Sequence, residues 1–276
     1  MNLAAILELA TAMAGCDSIP ADSQVYVESD GDVGRLLFGV DITLAEILWA
    51  QQNRFDAVVV HHPLGDRART RFADVVHRQV EQMEAEGIGR AAAERAVSAR
   101  LEAIHRSTHM GNVDALVDGA RLMGMPLCNV HLPCDIMGRT AIVEMLRRRA
   151  APGATVGEAI GWFDEFPEYR RGHARPEAWV GSDDRELGRW TVAMAGGTNG
   201  GFPVFSEYFA AGVDTIFAMH IAEDDLHRLR AAAEPGDTLV VTGHMTTDSI
   251  GINALITELE GRGIEVVRTS GVVAPG

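Results

Sequence analysis

The fold is decided by residues 33–65, VGRLLFGVDITLAEILWAQQNRFDAVVVHHPLG. Gly34–Val40 is an apolar run that predicts a strand, and Thr43–Gln52 predicts a helix with Thr43 as its N-cap. Asp56–Val60 is short, apolar and rich in β-branched residues, which is typical of a buried strand. A strand, a helix and a second strand in this order predict parallel strands, the second of which ends in His61-His62-Pro63.

The same alternation continues on both sides of this stretch. Before it, Ser23–Glu28 predicts a strand joined to Gly34–Val40 by a turn at Ser29–Asp32. After it, residues 71–123 predict helices broken near Gly87 and Gly111. The remaining predicted elements are a strand at Pro126–Val130, a helix near Arg139–Arg149, a strand at Trp190–Ala195, a helix at Pro203–Ala211, a strand at Val213–Met219, a helix at Ala222–Ala233, a strand at Thr238–Thr242, a helix at Asp248–Gly261 and a strand at Glu265–Arg268.

This order of elements predicts an α/β fold with layered, mainly parallel or mixed sheets. Ala151-Pro152-Gly153 is the best linker candidate, so we expect two packed lobes, residues 1–148 and residues 149–276. Residues 237–276 have a second option, which is to pack back on the first lobe. Each half contains a strand that ends in a polar tip with a histidine, as expected for two related lobes with a site in the cleft between them.

The composition excludes several classes of function. Lys and Arg total 24 against 39 Asp and Glu, and the formal net charge of −15 opposes binding to nucleic acid and to anionic membranes. No apolar run approaches the roughly 18–20 residues that a membrane span requires. The first residues, MNLAAILELATAMAGC, are similar to an export segment, but Glu8 and the missing basic start favour an amphipathic helix and a cytoplasmic protein. The three cysteines are too few for a disulfide framework and form no CxxC pair.

Three polar groups of residues follow predicted strands, where open α/β sheets bind their ligands. They are His61-His62-Pro63, His131-Leu132-Pro133-Cys134-Asp135 and Gly243-His244-Met245-Thr246-Thr247-Asp248. Each has a structural alternative: the His pair can be a polar strand end, Asp135 can cap the next helix, and Asp248 can neutralise a helix dipole. His244 and Asp248 are four residues apart, so they share one face if a helix begins near Met245.

Together the three groups predict a metal centre. Imidazole and carboxylate ligands without thiolates suit Zn, Mn, Fe, Co or Ni. Five such ligands are enough for two divalent ions about 3.5–4 Å apart, if one carboxylate bridges them.

These motifs resemble the Nif-three-like family of dinuclear-metal proteins, which are often labelled GTP cyclohydrolase type 2 homologues. The resemblance is carried by Asp41-Ile42-Thr43, His61-His62-Pro63, HLPCD at 131–135, the glycine turn that begins MAGGTNGG at residue 194, and VTGHMTTDSIGINAL at 241–255. It implies metal ligands at His61, His62, Asp135 and His244, with Asp248 where the family has Glu. It implies a site-lining role for His131, with or without a metal bond, and assembly as a hexamer. The stretch between HHP and HLPCD is longer than is usual in the family, by about a helical hairpin.

Two functions remain open at this point. The first is a metal-dependent hydrolase of a small anionic substrate, such as a nucleotide or a phosphorylated metabolite, with His131 or a carboxylate as the catalytic proton carrier. The second is a non-catalytic metal-binding scaffold or regulator with the same ligands. A plain α/β protein whose His and Asp residues only cap elements is the third interpretation. Gly196–Gly201 predicts either a tight turn or a phosphate loop, and Cys134 either a core residue or a soft ligand.

Overall fold

The computed structural model describes residues 1–276 and contains nine strands and twelve α-helices. The strands are β1 (Gln24–Val27), β2 (Arg35–Gly39), β3 (Ala57–Val60), β4 (Leu127–Asn129), β5 (Glu177–Val180), β6 (Trp190–Val192), β7 (Thr215–Ala218), β8 (Thr238–Val241) and β9 (Glu265–Thr269). The helices are α1 (Leu3–Met13), α2 (Leu44–Gln52), α3 (Asp66–Thr70), α4 (Ala73–Ala85), α5 (Arg90–Met110), α6 (Ala115–Met123), α7 (Leu132–Arg149), α8 (Val156–Trp162), α9 (Pro167–Arg171), α10 (Gly201–Ala210), α11 (Glu223–Ala232) and α12 (His244–Gly261).

The strands form two sheets. The first has the order β1-β4-β3-β2-β9, in which only β1 is antiparallel to its neighbour. The second has the order β5-β8-β7-β6, in which only β5 is antiparallel. Apart from β9, the strands of both sheets therefore follow one topology, and both antiparallel pairs contain a shift of register. The predicted α/β class with mixed sheets is confirmed.

The chain divides into two compact units, each with one sheet. The first comprises Met1–Val75, Ile104–Gly138 and Asp248–Pro275, and the second comprises Val76–Ala103, Arg139–Thr247 and Gly276. The strand β9 belongs to the first sheet although it lies near the end of the chain. No helix is long and apolar enough to cross a membrane.

The core of the first unit lies between its sheet and two helices. Leu37, Val58 and Leu127 from the sheet pack with Ile47 of α2 and Val117 of α6, and all five are at most 2% exposed. The strand β3 is buried along its whole length, as its continuous apolar sequence predicts. A capping box fixes the start of α2, since Glu46 accepts a hydrogen bond from the Thr43 backbone and the Thr43 side chain caps the first turn.

Several predicted bounds are wrong in an informative way. The strands β1 and β2 do not pair with each other, because β1 pairs with β4. The helix α7 begins at Leu132 rather than near Arg139, and α12 begins at His244 rather than at Asp248. Both helices therefore start directly after a strand. Asp135 lies in the first turn of α7, and Asp248 lies one turn after the start of α12. The helical region 71–123 is confirmed as α4, α5 and α6, broken after Ala85 and Met110.

Candidate metal centre

Three histidines lie together where β3 and β4 end. These strands are parallel neighbours, and the pairing of Val60 with Asn129 carries both chains to the same edge. His61 and His62 continue past β3, with their backbone N–H groups donating to the carbonyls of Gly39 and Val40 at 2.9 and 3.1 Å. Their ring centroids are 5.0 Å apart, and the ring of His131 lies 4.9 Å from that of His61.

Two carboxylates complete the cluster because α12 packs closely on the start of α7. Gly251 makes this approach possible: a Cβ at this position would lie 1.9 Å from the carbonyl oxygen of Cys134. Asp248, three residues earlier on α12, and Asp135, in the first turn of α7, are thereby brought to the same group of histidines. Asp135 is 6% exposed, Asp248 is 2% exposed and His61 is fully buried.

The imidazole Nε2 atoms face these carboxylates. His61 Nε2 lies 3.2 Å from Asp135 Oδ1 and 3.9 Å from Asp248 Oδ1. His62 Nε2 lies 3.7 Å from Asp248 Oδ2, and His131 Nε2 lies 3.7 Å from Asp135 Oδ2. The ligand atoms of His61, Asp135 and Asp248 all lie within 4.8 Å of one another, as do those of the three histidines. These groups could hold a metal ion.

The other nitrogen of each ring contacts an acceptor. His61 Nδ1 is 3.0 Å from the carbonyl of Val130, His62 Nδ1 is 2.9 Å from Asp41 Oδ1, and His131 Nδ1 is 2.6 Å from Asp22 Oδ2. A carbonyl or carboxylate can only accept, so each Nδ1 carries the proton and a neutral ring presents a lone pair at Nε2. Metal-binding histidines commonly have this second contact, which fixes the tautomer and the ring orientation.

The contact between His61 and Asp135 therefore joins two acceptors. Nε2 of the neutral ring and Oδ1 of the carboxylate are both buried, neither has a hydrogen-bond partner, and they are 3.2 Å apart. Two lone pairs this close repel each other unless a cation lies with them. A proton on the imidazole or a divalent metal supplies that charge.

The electrostatics of the cluster also favour a cation. Burial and the charge of Asp135 raise the pKa of Asp248 well above its ordinary value. Burial opposes ionisation of Asp135 too, but His131 and His61 outweigh it and lower the pKa of that carboxyl. For His131, burial is outweighed by Asp135 and Asp22, which raise the pKa of the imidazole to about 9. A metal-free cluster thus retains protons that a bound metal would displace.

Comparison with solved structures identifies the family. A NIF3 superfamily protein from Sphaerobacter thermophilus has 39% sequence identity to this chain and a TM-score of 0.94, over 98% of both chains. The chain belongs to the NIF3 superfamily. This is the family that the sequence motifs resemble.

Two more distant structures share the fold with this NIF3-superfamily chain. Reduced HcgD from Methanocaldococcus jannaschii has 13% identity and a TM-score of 0.58 over 97% of both chains. The protein TTHA1606 from Thermus thermophilus has 13% identity and a TM-score of 0.52, again over 97% of both chains. No protein-family model matches the chain, and no curated protein matches it.

In this NIF3-superfamily chain, His244 is the first residue of α12 and lies one turn before Asp248. It belongs to the second unit, where its ring centroid is 4.4 Å from that of His220. His220 follows β7 at the position that His62 has after β3, and its Nδ1 lies 2.8 Å from the side-chain nitrogen of Asn199. A metal bond to His244 stays a prediction.

Two other candidates have structural roles. Cys134 is buried, and burial raises the pKa of its thiol well above its usual value, which favours a core residue over a soft ligand. The glycine turn leads from β6 to α10, and Gln79 donates to its carbonyls at Gly196 and Thr198. A Cβ on Gly201 would lie 2.4 Å from the carboxylate of Asp225, so an acidic group already lies at the start of α10. These contacts favour a tight turn over a phosphate loop.

Sequence reasoning missed the two carboxylates behind the histidines. Asp41 is part of the Asp-x-Thr motif, and its place directly after β2 is a usable signal. Asp22 lies two residues before β1 and carries no motif. Its role follows only from the antiparallel pairing of β1 with β4, which brings it to His131.

Proposed function

We propose that this protein is a metal-dependent hydrolase whose buried His and Asp cluster holds two divalent ions. The contact that supports a cation most strongly is the one between His61 Nε2 and Asp135 Oδ1, two buried acceptors 3.2 Å apart. The ligands would be His61, His62, Asp135 and Asp248, with His244 added from the start of α12. Zn, Mn, Fe, Co and Ni all suit this donor set.

The spacing of the carboxylates supports two ions rather than one. Asp248 has one oxygen 3.9 Å from His61 Nε2 and the other 3.7 Å from His62 Nε2, so it can bridge ions bound at these two rings. Asp135 likewise lies between His61 and His131, at 3.2 and 3.7 Å. An Asp has a shorter side chain than the Glu that the family resemblance implies here, and the close approach of α12 at Gly251 offsets that difference.

The bound ions would supply a hydroxide near neutral pH and a positive charge for a developing oxyanion. The chain itself supplies proton transfer and orientation. His131 is 6% exposed and its Nδ1 is fixed by Asp22, so its Nε2 is the atom that can accept a proton and return it to a leaving group. We assign the substrate to small anions, nucleotides or phosphorylated metabolites, on the family resemblance and on the positive charge that two ions bring.

A non-catalytic role is favoured by one observation, the depth of the cluster. The side chain of His61 is fully buried, and Asp135 and Asp248 are 6% and 2% exposed. A site saturated by protein ligands stores or senses metal and has no open position for water.

Four further predictions accompany the proposal. They are assembly as a hexamer, a cytoplasmic location, a lobe boundary after residue 148 and a site in the cleft.

The test is hydrolysis by metal-loaded protein of a panel of phosphomonoesters, phosphodiesters and nucleoside triphosphates. We expect turnover that requires metal, and a loss of about 100-fold or more in kcat for His131→Ala, measured at metal concentrations that saturate the variant. His105→Ala, at an exposed position on α5, is the matched control and retains full turnover. Loaded wild-type protein that turns over no member of the panel would exclude the proposed substrate class and favour the non-catalytic role.

A further inference from the structure

Asp22 is a buried carboxylate to which the family motifs assign no role. It is fully buried, and its Oδ2 lies 2.6 Å from His131 Nδ1. Burying a carboxylate is costly unless it is paired and hydrogen-bonded. The geometry points to Asp22 as a positioning residue that fixes the tautomer and orientation of His131 in the proposed metal centre.

The carboxylate is itself held in place. Ser23 Oγ donates to Asp22 Oδ1 at 3.3 Å, and the same hydroxyl accepts the backbone N–H of His131 at 2.9 Å. Asn129, which is also fully buried, donates to the Asp22 carbonyl at 2.7 Å and accepts from the hydroxyl of Tyr26 at 2.7 Å. The segment before β1 is thus bonded to Asn129 and to the backbone of His131, which leaves the Asp22 side chain little freedom.

The contact between Asp22 and His131 decides which nitrogen of the His131 ring can accept a proton or bind a metal. With Nδ1–H donating to Asp22, the neutral ring of His131 keeps its lone pair at Nε2, the atom 3.7 Å from Asp135 Oδ2. The opposite tautomer would place a proton on Nε2, where it can neither bind a metal nor accept a proton from water. Asp22 therefore acts on the site only through His131.

Asp41 provides an internal comparison. It contacts His62 Nδ1 at 2.9 Å in the same way, but its side chain is 68% exposed, whereas that of Asp22 is 0% exposed. Water can replace Asp41 as an acceptor, but it cannot easily enter the position of Asp22. We therefore expect the larger effect from Asp22.

The substitution that isolates this role is Asp22→Asn. Asn has the same shape, but its amide can donate to Nδ1 and so move the ring proton to Nε2. We expect Asp22→Asn to weaken Co²⁺ binding by about 10–100-fold in a chelator competition. We expect Asp41→Asn to weaken it less, and Asp32→Asn, which alters an 86% exposed carboxylate, to leave it unchanged.

A double-mutant cycle tests whether the effect passes through the ring. In a His131→Ala background, Asp22→Asn should change Co²⁺ affinity by less than about twofold, because there is no ring left to orient. The same loss with and without His131, or no loss in either background, would overturn the inference. Thermal midpoints of the metal-free variants separate a loss of fold from a loss of metal.

A measurement on wild-type protein covers the case in which Asp22→Asn does not fold. Long-range ¹H–¹⁵N spectra of histidine-labelled protein report which ring nitrogen is protonated. We expect His131 Nδ1 to carry a proton with and without zinc, and a bare Nδ1 would refute the role of Asp22. The inference rests on the proposed metal centre, but the two can fail separately. Absence of metal in wild-type protein rejects the metal centre. The Nδ1 signal of His131 still decides the role of Asp22.

Discussion

Burying the side chain of Asp248 is a main cost of the site in folding free energy. It is buried next to Asp135 and within 4 Å of two imidazoles, and burial together with the second carboxylate raises its pKa. Two carboxylates share one buried cluster only at a cost in folding free energy, which a bound cation offsets. A residue proposed as a metal ligand thus destabilises the metal-free protein.

Asp248→Asn should therefore have opposite effects on stability and binding. We expect the metal-free variant to be more stable than wild type by about 1–2 kcal/mol near neutral pH, because Asn removes an acid that must take up a proton to be buried beside Asp135. Zinc should no longer raise its thermal midpoint. Chemical denaturation of the metal-free proteins and melting with zinc measure the two effects, and a variant that is destabilised yet still binds zinc would contradict this role.

The sequence predicts which histidines and acids form the buried cluster. It does not predict the carboxylates that contact the Nδ1 atoms of these histidines. His61, His62, His131, Asp135 and Asp248 all follow strands or begin helices, and this position is visible in the sequence pattern. Asp22 reaches His131 across more than a hundred residues through β1–β4 pairing. Hydrophobic periodicity carries no information about such a pairing.

Among the elements, the contact of α12 with α7 sets the geometry of the centre. Both helices begin directly after a strand of a parallel pair, and Gly251 lets α12 lie against the backbone of Cys134 and Gly138. The sequence predicts helices near Arg139 and at Asp248, several residues after the observed starts at Leu132 and His244. Tertiary packing extends both helices to the strand ends.

Gly251→Ala tests this contact. The added methyl would meet the Cys134 carbonyl oxygen at 1.9 Å, so we expect a loss of about 1–3 kcal/mol in unfolding free energy and weaker metal binding. Gly261→Ala on the same helix is the matched control, because a Cβ there meets nothing within 4 Å. It should be neutral or slightly stabilising. Equal effects of the two variants would show that the helix contact does not set the site.

The Asp-x-Thr motif divides into two roles at the scale of elements. Asp41 contacts His62, whereas Thr43 caps α2. Thr43→Ala should cost about 1 kcal/mol of stability through loss of the cap. Zinc affinity should stay unchanged, and a large drop in affinity with intact stability would show that Thr43 belongs to the site.

In the whole molecule, the two sheets share one strand order apart from β9. Each unit is built from segments that are separate in the sequence. The sequence indicates two related lobes because each half contains a strand that is followed by a polar segment with a histidine. The exchange of α4 and part of α5 into the second unit, and of β9 into the first, depends on long-range contacts that local patterns do not encode. The helices predicted between His62 and His131 are confirmed as α4, α5 and α6.

Metal should stabilise the molecule as a whole, since folding brings together ligands that are far apart in the unfolded chain. At zinc concentrations about 100 times the dissociation constant, linkage predicts about 2.7 kcal/mol, or a rise of about 5–10 °C in the thermal midpoint. A chelator should reverse the rise, as scanning calorimetry can show. No shift in wild-type protein would mean that the native state does not bind zinc preferentially.

The most direct test of the metal centre is anomalous X-ray diffraction from crystals of zinc-loaded protein. We predict two anomalous peaks about 3.5–4 Å apart, in contact with His61, His62, Asp135 and Asp248. A single peak at His61 and Asp135 would reduce the centre to one ion. Full zinc loading with no peak among these residues would contradict the assignment of the buried cluster as a metal centre.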